Sequence, residues 1–105
     1  MYVTVSARRC RAPAAVRERA QERLSRLRRV APGLIGAEID LSVQRGVHRV
    51  DARLLVEGSP AIRASGTGVD FRAALDGALD RARRQITEHK ARRGRRVARR
   101  EPVRV

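Results

Sequence analysis

The chain opens on alternation. Across residues 2–8, Val3, Val5 and Ala7 fall on one side and Thr4, Ser6 and Arg8 on the other. A period of two with β-branched residues predicts a half-buried strand. Pro13 then suits the first turn of a helix, where its missing N–H costs nothing. Val16, Ala20, Leu24 and Leu27 repeat at helical spacing as far as about Arg29, and Ala31, Pro32 and Gly33 stop the helix. Ile39, Leu41 and Val43 alternate with Asp40, Ser42 and Gln44 in a second strand, and Arg45 and Gly46 turn the chain. Val50, Ala52, Leu54 and Val56 mark a third strand, Glu57–Pro60 a turn, and Ile62, Ala64 and Gly66 a short fourth strand. Asp70 is placed to cap a second helix, whose apolar face is Phe71, Ala74, Leu75, Ala78, Leu79, Ala82 and Ile86.

The order β-α-β-β-β-α predicts an α+β fold. A four-stranded sheet with one polar face and two one-sided helices has an economical solution, in which both helices pack on the apolar face and make two layers. With 105 residues there is room for one domain and one modest core. The aromatic content of 2% means that the core must be aliphatic. The domain is expected to span residues 1–93. The tail at 94–105, with Gly94, Pro102 and dense like charge, has nothing to bury and is expected to be disordered in isolation.

Charge changes the picture. The net charge of +14 is extreme for the length and points to a polyanionic partner, nucleic acid or an anionic membrane surface. Residues 81–105 hold 11 basic residues and 2 acids, whereas residues 1–80 hold 14 and 9. In the second helix Asp76 and Asp80 precede Arg81, Arg83, Arg84 and Lys90. That order suits the helix macrodipole and an i,i+4 pair between Asp80 and Arg84, effects of a few tenths of a kcal/mol each. Such terms leave the large basic excess unexplained. In the first helix Arg19, Arg23 and Arg26 share one edge at i, i+4, i+7, with Glu18 and Glu22 on the far side. That edge reads as purely basic.

Catalytic chemistry is missing from the pattern. His48 and His89 stand apart from any carboxylate or cysteine cluster at metal-ligand spacing, and no glycine-rich phosphate loop or nucleophile–base set stands out. His48 reads as a surface residue. His89, amid Arg and Lys, suits a phosphate or base contact equally well. Asp51 and Asp76 read as surface or capping carboxylates. Cys10 is the only cysteine, which fits a reduced thiol without a framework role. No enzyme activity, metal, cofactor or small-molecule substrate is expected. The N-terminus lacks the apolar run of a signal peptide, and no segment approaches the ~20 apolar residues that span a bilayer. A cytoplasmic protein, monomeric when free, is therefore expected.

The element order and the second helix together resemble the ribosome hibernation promoting factor family, which includes the ribosome-associated inhibitor A proteins, once called sigma-54 modulation proteins. The family's second helix typically reads Asp-Met-Tyr-x-Ala-Ile-Asp, then Asp-Lys-Leu, then Arg-Gln-Leu-x-Lys-His-Lys. Here Asp70, Ala74, Leu75 and Asp76 match the first part, Asp80 and Arg81 the second, and Arg84, Gln85, Ile86, His89 and Lys90 the third. Val16, Arg17 and Glu18 stand where the family has Leu-Arg-Glu, and the likeness covers about residues 1–93. Phe71 and Arg72 replace the usual Met and Tyr. Glu88 stands where a basic residue is common, and Arg92, Arg93, Arg95 and Arg96 are the residues that would compensate.

The resemblance implies a translation inhibitor that binds ribosomal RNA in the decoding channel of the small ribosomal subunit. It would cover the sites of mRNA and tRNA anticodon stems in stationary phase or starvation. Arg23, Arg26, Arg81, Arg84, His89 and Lys90 would be the RNA contacts by this likeness, and Arg19, Arg92 and Arg93 lie beside them on the basic surface. They would act mainly as phosphate ligands. Ribosomal proteins near the decoding site are further partners that it allows. Long members add a C-terminal domain that pairs ribosomes; the residues after the second helix are too few for one, so a short form is expected. The rival readings are a free-standing module for structured RNA and a protein-binding regulator of transcription. Against the first, the second helix starts acidic and turns basic only later. Against the second, protein binding does not require such a charge. Membrane docking is disfavoured because both helices turn their apolar faces to the sheet.

Overall fold

The computed structural model describes the backbone of residues 1–100 and the side chains of residues 1–88. The elements are β1 (Tyr2–Arg8), α1 (Ala14–Val30), β2 (Leu34–Gln44), β3 (Val47–Val56), β4 (Ile62–Gly68) and α2 (Phe71–Arg100). The fold is thus the expected α+β arrangement, β-α-β-β-β-α. The backbone of α2 continues as helix through Arg100, past the expected start of the tail at 94, and residues 101–105 lie outside the described residues.

The four strands lie in the order β1-β2-β3-β4. β1 pairs with β2 in parallel, and the other two pairings are antiparallel. The sheet is therefore mixed, and the parallel pair needs a crossover, which α1 supplies. Arg45 and Gly46 form the two-residue hairpin between β2 and β3, with φ of 52° and 76°. Two successive positive φ angles match the twist of the flanking strands. β2 begins at Leu34, five residues before the first alternating position in the sequence. Its early stretch, Leu34 to Ala37, is masked as a pattern by Gly36 and by an irregularity between Leu34 and Gly36.

Alternation sorts the strands as expected. Ile39 and Leu41 of β2 and Val50 and Leu54 of β3 are wholly buried, together with Leu24 of α1 and Leu75 of α2. Each such side chain stabilises the fold by about 1.5–3 kcal/mol relative to exposure. The core is aliphatic throughout except for Phe71, and no charged or polar residue is buried among the described residues. His48 is not the surface residue the sequence suggested. Its ring stands edge-on to Phe71, with centroids 4.7 Å apart, and closes the end of the core where α2 begins. Asp70 caps α2 as expected: its Oδ1 accepts the Ala73 N–H at 2.8 Å.

α2 sits unusually close to β4, and glycine is the cause. A Cβ on Gly66 would lie 2.2 Å from the Ala74 carbonyl oxygen and 2.6 Å from the Ala78 nitrogen. Ala74, Ala78 and Ala82, all without exposed surface, keep the facing side of the helix equally thin. This seating holds α2 against the sheet at one edge, with α1 beside it over the same face.

Candidate nucleic-acid interface

Because β1, β2 and β4 run the same way and each helix returns antiparallel to its neighbouring strand, α1 and α2 lie side by side in parallel. Two i, i+4, i+7 stripes then face each other across the seam: Arg19, Arg23 and Arg26 of α1, and Asp76, Asp80 and Arg83 of α2. The first two levels are matched in sign. Arg19 donates from Nε and Nη2 to the two carboxylate oxygens of Asp76, at 2.8 and 2.9 Å. Arg23 donates from Nη1 to Asp76 at 2.9 Å and from Nη2 to Asp80 at 2.7 Å.

The hydrogen bonds from Arg19, with Arg23 adding to them, hold the Asp76 carboxyl below its ordinary range although partial burial acts the other way. Asp76 in turn pushes the Arg19 guanidinium up, so it stays charged at any working pH.

The third level is not matched. Across the seam α2 offers Arg83 rather than an acid at the level of Arg26, and Arg26, Arg29 and Arg83 line the same end of the groove together with Leu27, Val30 and Leu79. Arg26 has one partner, Glu22 of its own helix, at 2.5 Å, and both side chains are largely exposed. Arg29 and Arg83 have no ion pair among the described residues. The seam opens there into a groove of about 450 Å³ whose lining also includes Arg19 and Arg23. A groove that runs from arginines paired across the seam to arginines with no acid across it concentrates positive potential at one end, and planar guanidiniums suit phosphate oxygens.

The remaining expected contacts are distributed over α2. Helical geometry puts Arg84 on the outward crest between the seam and the β4 flank, exposed and without an ion pair among the described residues. Arg81 lies on the opposite flank and donates from Nη1 to the Ser65 carbonyl at 2.9 Å, beside Gln85, which reaches the Arg63 carbonyl at 2.9 Å. These two side chains cover the outer carbonyls of edge strand β4. Arg19, Arg23 and Arg26 are thus together, Arg81 is separated from them by the width of α2, and the side chains of His89, Lys90, Arg92 and Arg93 lie outside the described residues.

Sequence reasoning missed two things. Arg29 gives no signal of its own, and Arg83 reads only as part of the basic end of the second helix, although it continues the Asp76–Asp80 stripe by one further turn. The α1 edge is not purely basic: Arg19 and Arg23 take acids from α2, a pairing that requires the helices to be parallel and adjacent, and Glu22, expected on the far side, reaches Arg26. Asp80 bonds Arg23 rather than Arg84, the partner its i,i+4 spacing suggested. Among the described residues no group of His, Cys, Asp and Glu side chains could hold a metal ion.

The chain matches the pattern of Sigma 54 modulation protein / S30EA ribosomal protein over residues 3–94. It belongs to that family. The ribosome hibernation promoting factor of Escherichia coli (strain K12) is 36% identical over 76 residues, which cover 72% of this chain and 79% of the relative. The factor of the same name from Klebsiella oxytoca is also 36% identical over 76 residues, with the same coverage. Among solved structures, the N-terminal domain of Thermus thermophilus Protein Y superposes with a TM-score of 0.76 at 26% identity, over 85% of this chain and 99% of that one. A ribosomal subunit interface protein from Coxiella burnetii has the same fold, with a TM-score of 0.79 at 21% identity over 87% of this chain and 99% of that one. The match to the Sigma 54 modulation / S30EA family covers α1 and α2 as far as residue 94, and hence every seam residue from Arg19 to Arg83. No helix among the described residues is long and apolar enough to cross a membrane.

Proposed function

We propose that this protein is a ribosome hibernation factor: it binds ribosomal RNA in the decoding channel of the small subunit, blocks the mRNA and tRNA anticodon-stem sites in stationary phase or starvation, and acts in the cytoplasm by occupancy rather than catalysis. The observation that carries the reading is the parallel helix seam ending in Arg26, Arg29 and Arg83. On a chain of this family, it would supply a phosphate-binding surface in which Arg29 and Arg83 have no ion pair among the described residues, flanked by Arg84 on the crest of α2. Its contacts would be chiefly to phosphate, which positions the domain without reading sequence. A-form RNA suits this mode, since its deep groove hides the base edges and leaves shape and backbone as the recognisable features.

The test is co-sedimentation with purified small subunits. Replacing Arg29, Arg83 and Arg84 together with Glu is expected to abolish it while leaving the circular dichroism of the fold intact. Retained binding by that variant would refute the surface. Sucrose-gradient profiles of starved cells, with and without the protein, then separate ribosome binding from free-RNA binding and report whether ribosome dimers form.

A further inference from the structure

A surface built only to attract phosphate would not place two carboxylates in the middle of its arginines. Asp76 and Asp80 do more than balance charge in general, since each is aimed. Asp76 takes three hydrogen bonds, two from Arg19 and one from Arg23, and Asp80 takes a fourth from the other terminal nitrogen of Arg23. The Arg23 guanidinium is thereby strung between two acids, with its side chain 20% exposed against 66% for Arg26. Arg19 and Arg23 retain N–H groups that these carboxylates do not take, but the guanidiniums are fixed in orientation and their charge is locally cancelled.

On this basis, and resting on the ribosomal role proposed above, we infer that Asp76 and Asp80 determine specificity. They act as positioning residues that discourage polyanions in general and admit a folded RNA whose phosphates fall at the Arg26–Arg29–Arg83 end. The physical argument concerns where phosphates land. An arbitrary duplex presents phosphates at regular intervals along the groove, and some of them must approach Asp76 and Asp80, where like charge repels them. Non-specific attraction scales with the cations available to release counterions, and the two acids remove Arg19 and Arg23 from that number. A rigid tertiary surface can set its phosphates over the Arg26–Arg29–Arg83 end and leave Asp76 and Asp80 facing solvent or a hydrogen-bond donor. The acids therefore lower affinity for every unmatched RNA more than for the matched one.

The test uses the full chain and its variants Asp76→Asn, Asp80→Asn and the double substitution. Binding is measured across salt concentrations to purified small subunits and to a short RNA duplex of arbitrary sequence. For the double variant, affinity for the duplex should rise about 5–10-fold. Its log–log salt slope should steepen by about one to two, because two cations are freed. Affinity for the small subunit should stay level or fall, so that the preference for the subunit drops at least about fivefold. Asp80→Asn alone should move the same way by a smaller factor. Because the Asp80 side chain is 60% exposed and takes one bond, this variant keeps the test open if loss of Asp76 unfolds the seam. A folded variant with unchanged preference and salt slope would overturn the inference and leave Asp76 and Asp80 as helix-to-helix ties. A wild-type protein that fails to prefer the small subunit would overturn the proposed function instead.

Discussion

The two faces of this molecule both carry arginines and use them differently. On the open face of the sheet, acids and bases are interleaved across strands. Glu38 accepts from its cross-strand partner Arg53 at 2.6 Å, and Asp51 binds Arg49 at 3.0 Å and the Ser65 hydroxyl at 2.7 Å. Asp40 and Arg63 line the same surface. On the helix face the pairing between helices proceeds for two levels, Arg19 with Asp76 and Arg23 with Asp80, and then stops: Arg26 keeps only Glu22 of its own helix, and Arg29 and Arg83 have no ion pair among the described residues. Arginine content therefore does not identify a phosphate-binding surface. What distinguishes the helix face is where the supply of carboxylates stops, a property of the register between two helices that neither helix carries alone.

The largest effect that separates the faces should come from adjacent residues on β4. Gly66→Val drives side-chain atoms into the α2 backbone, which Gly66 touches directly. It should destabilise the fold by roughly 3 kcal/mol or more, read by urea unfolding. Ser65→Ala, one residue away on the open face, removes a hydrogen bond to Asp51 and should cost about 1 kcal/mol. Equal losses would mean that α2 is not seated on β4 as described.

Next comes affinity. Charge reversal of Arg26, Arg29 and Arg83 to Glu should weaken small-subunit binding by about two orders of magnitude. Arg53→Ala with Arg63→Ala on the sheet should change it by less than about threefold, within the range of neutral surface substitutions. Similar losses from the two sets would erase the distinction between the faces.

The smallest effect is shared by the faces and lies at acid pH. The folded-state pKa values of Asp76 and Asp51 are both depressed, each chiefly by hydrogen bonds from its arginine. A depressed carboxyl stabilises the fold fully above its unfolded pKa of about 4 and loses that contribution as pH falls through the lower folded value. Each partly exposed pair should contribute no more than about 1 kcal/mol. Asp76→Asn and Asp51→Asn should each flatten the decline in stability below pH ~4, followed by thermal unfolding. A change confined to neutral or alkaline pH would contradict the pairing.

These contrasts also explain what could be read in the sequence. Strict alternation in β1, β3 and β4 and the apolar stripes of α1 and α2 fixed the layers, because burial imposes periods of 2 and 3.6 directly on the residues. Asp70 signalled its cap because the cap is local. The early half of β2 was hidden, since Gly36 sits beneath the Tyr2 ring and contributes no side chain to a pattern. His48 gave no sign of its place against Phe71, a contact across 23 positions of sequence. The interface was half legible for the same reason. Its arginines form stripes within each helix, but the acids that neutralise Arg19 and Arg23 lie more than 50 residues away, at separations of 57 and 53 from Asp76. Parallel packing of the helices brings the two stripes together, and spacing within either helix is silent about it.

The most direct test of the central claim, that the helix face docks and the sheet face does not, is protection of individual arginines from modification by phenylglyoxal in the small-subunit complex, mapped by mass spectrometry. Arg26, Arg29, Arg83 and Arg84 should lose reactivity on binding while Arg49, Arg53 and Arg63 keep the reactivity of the free protein. Protection of the sheet arginines with the helix arginines still reactive would contradict the account.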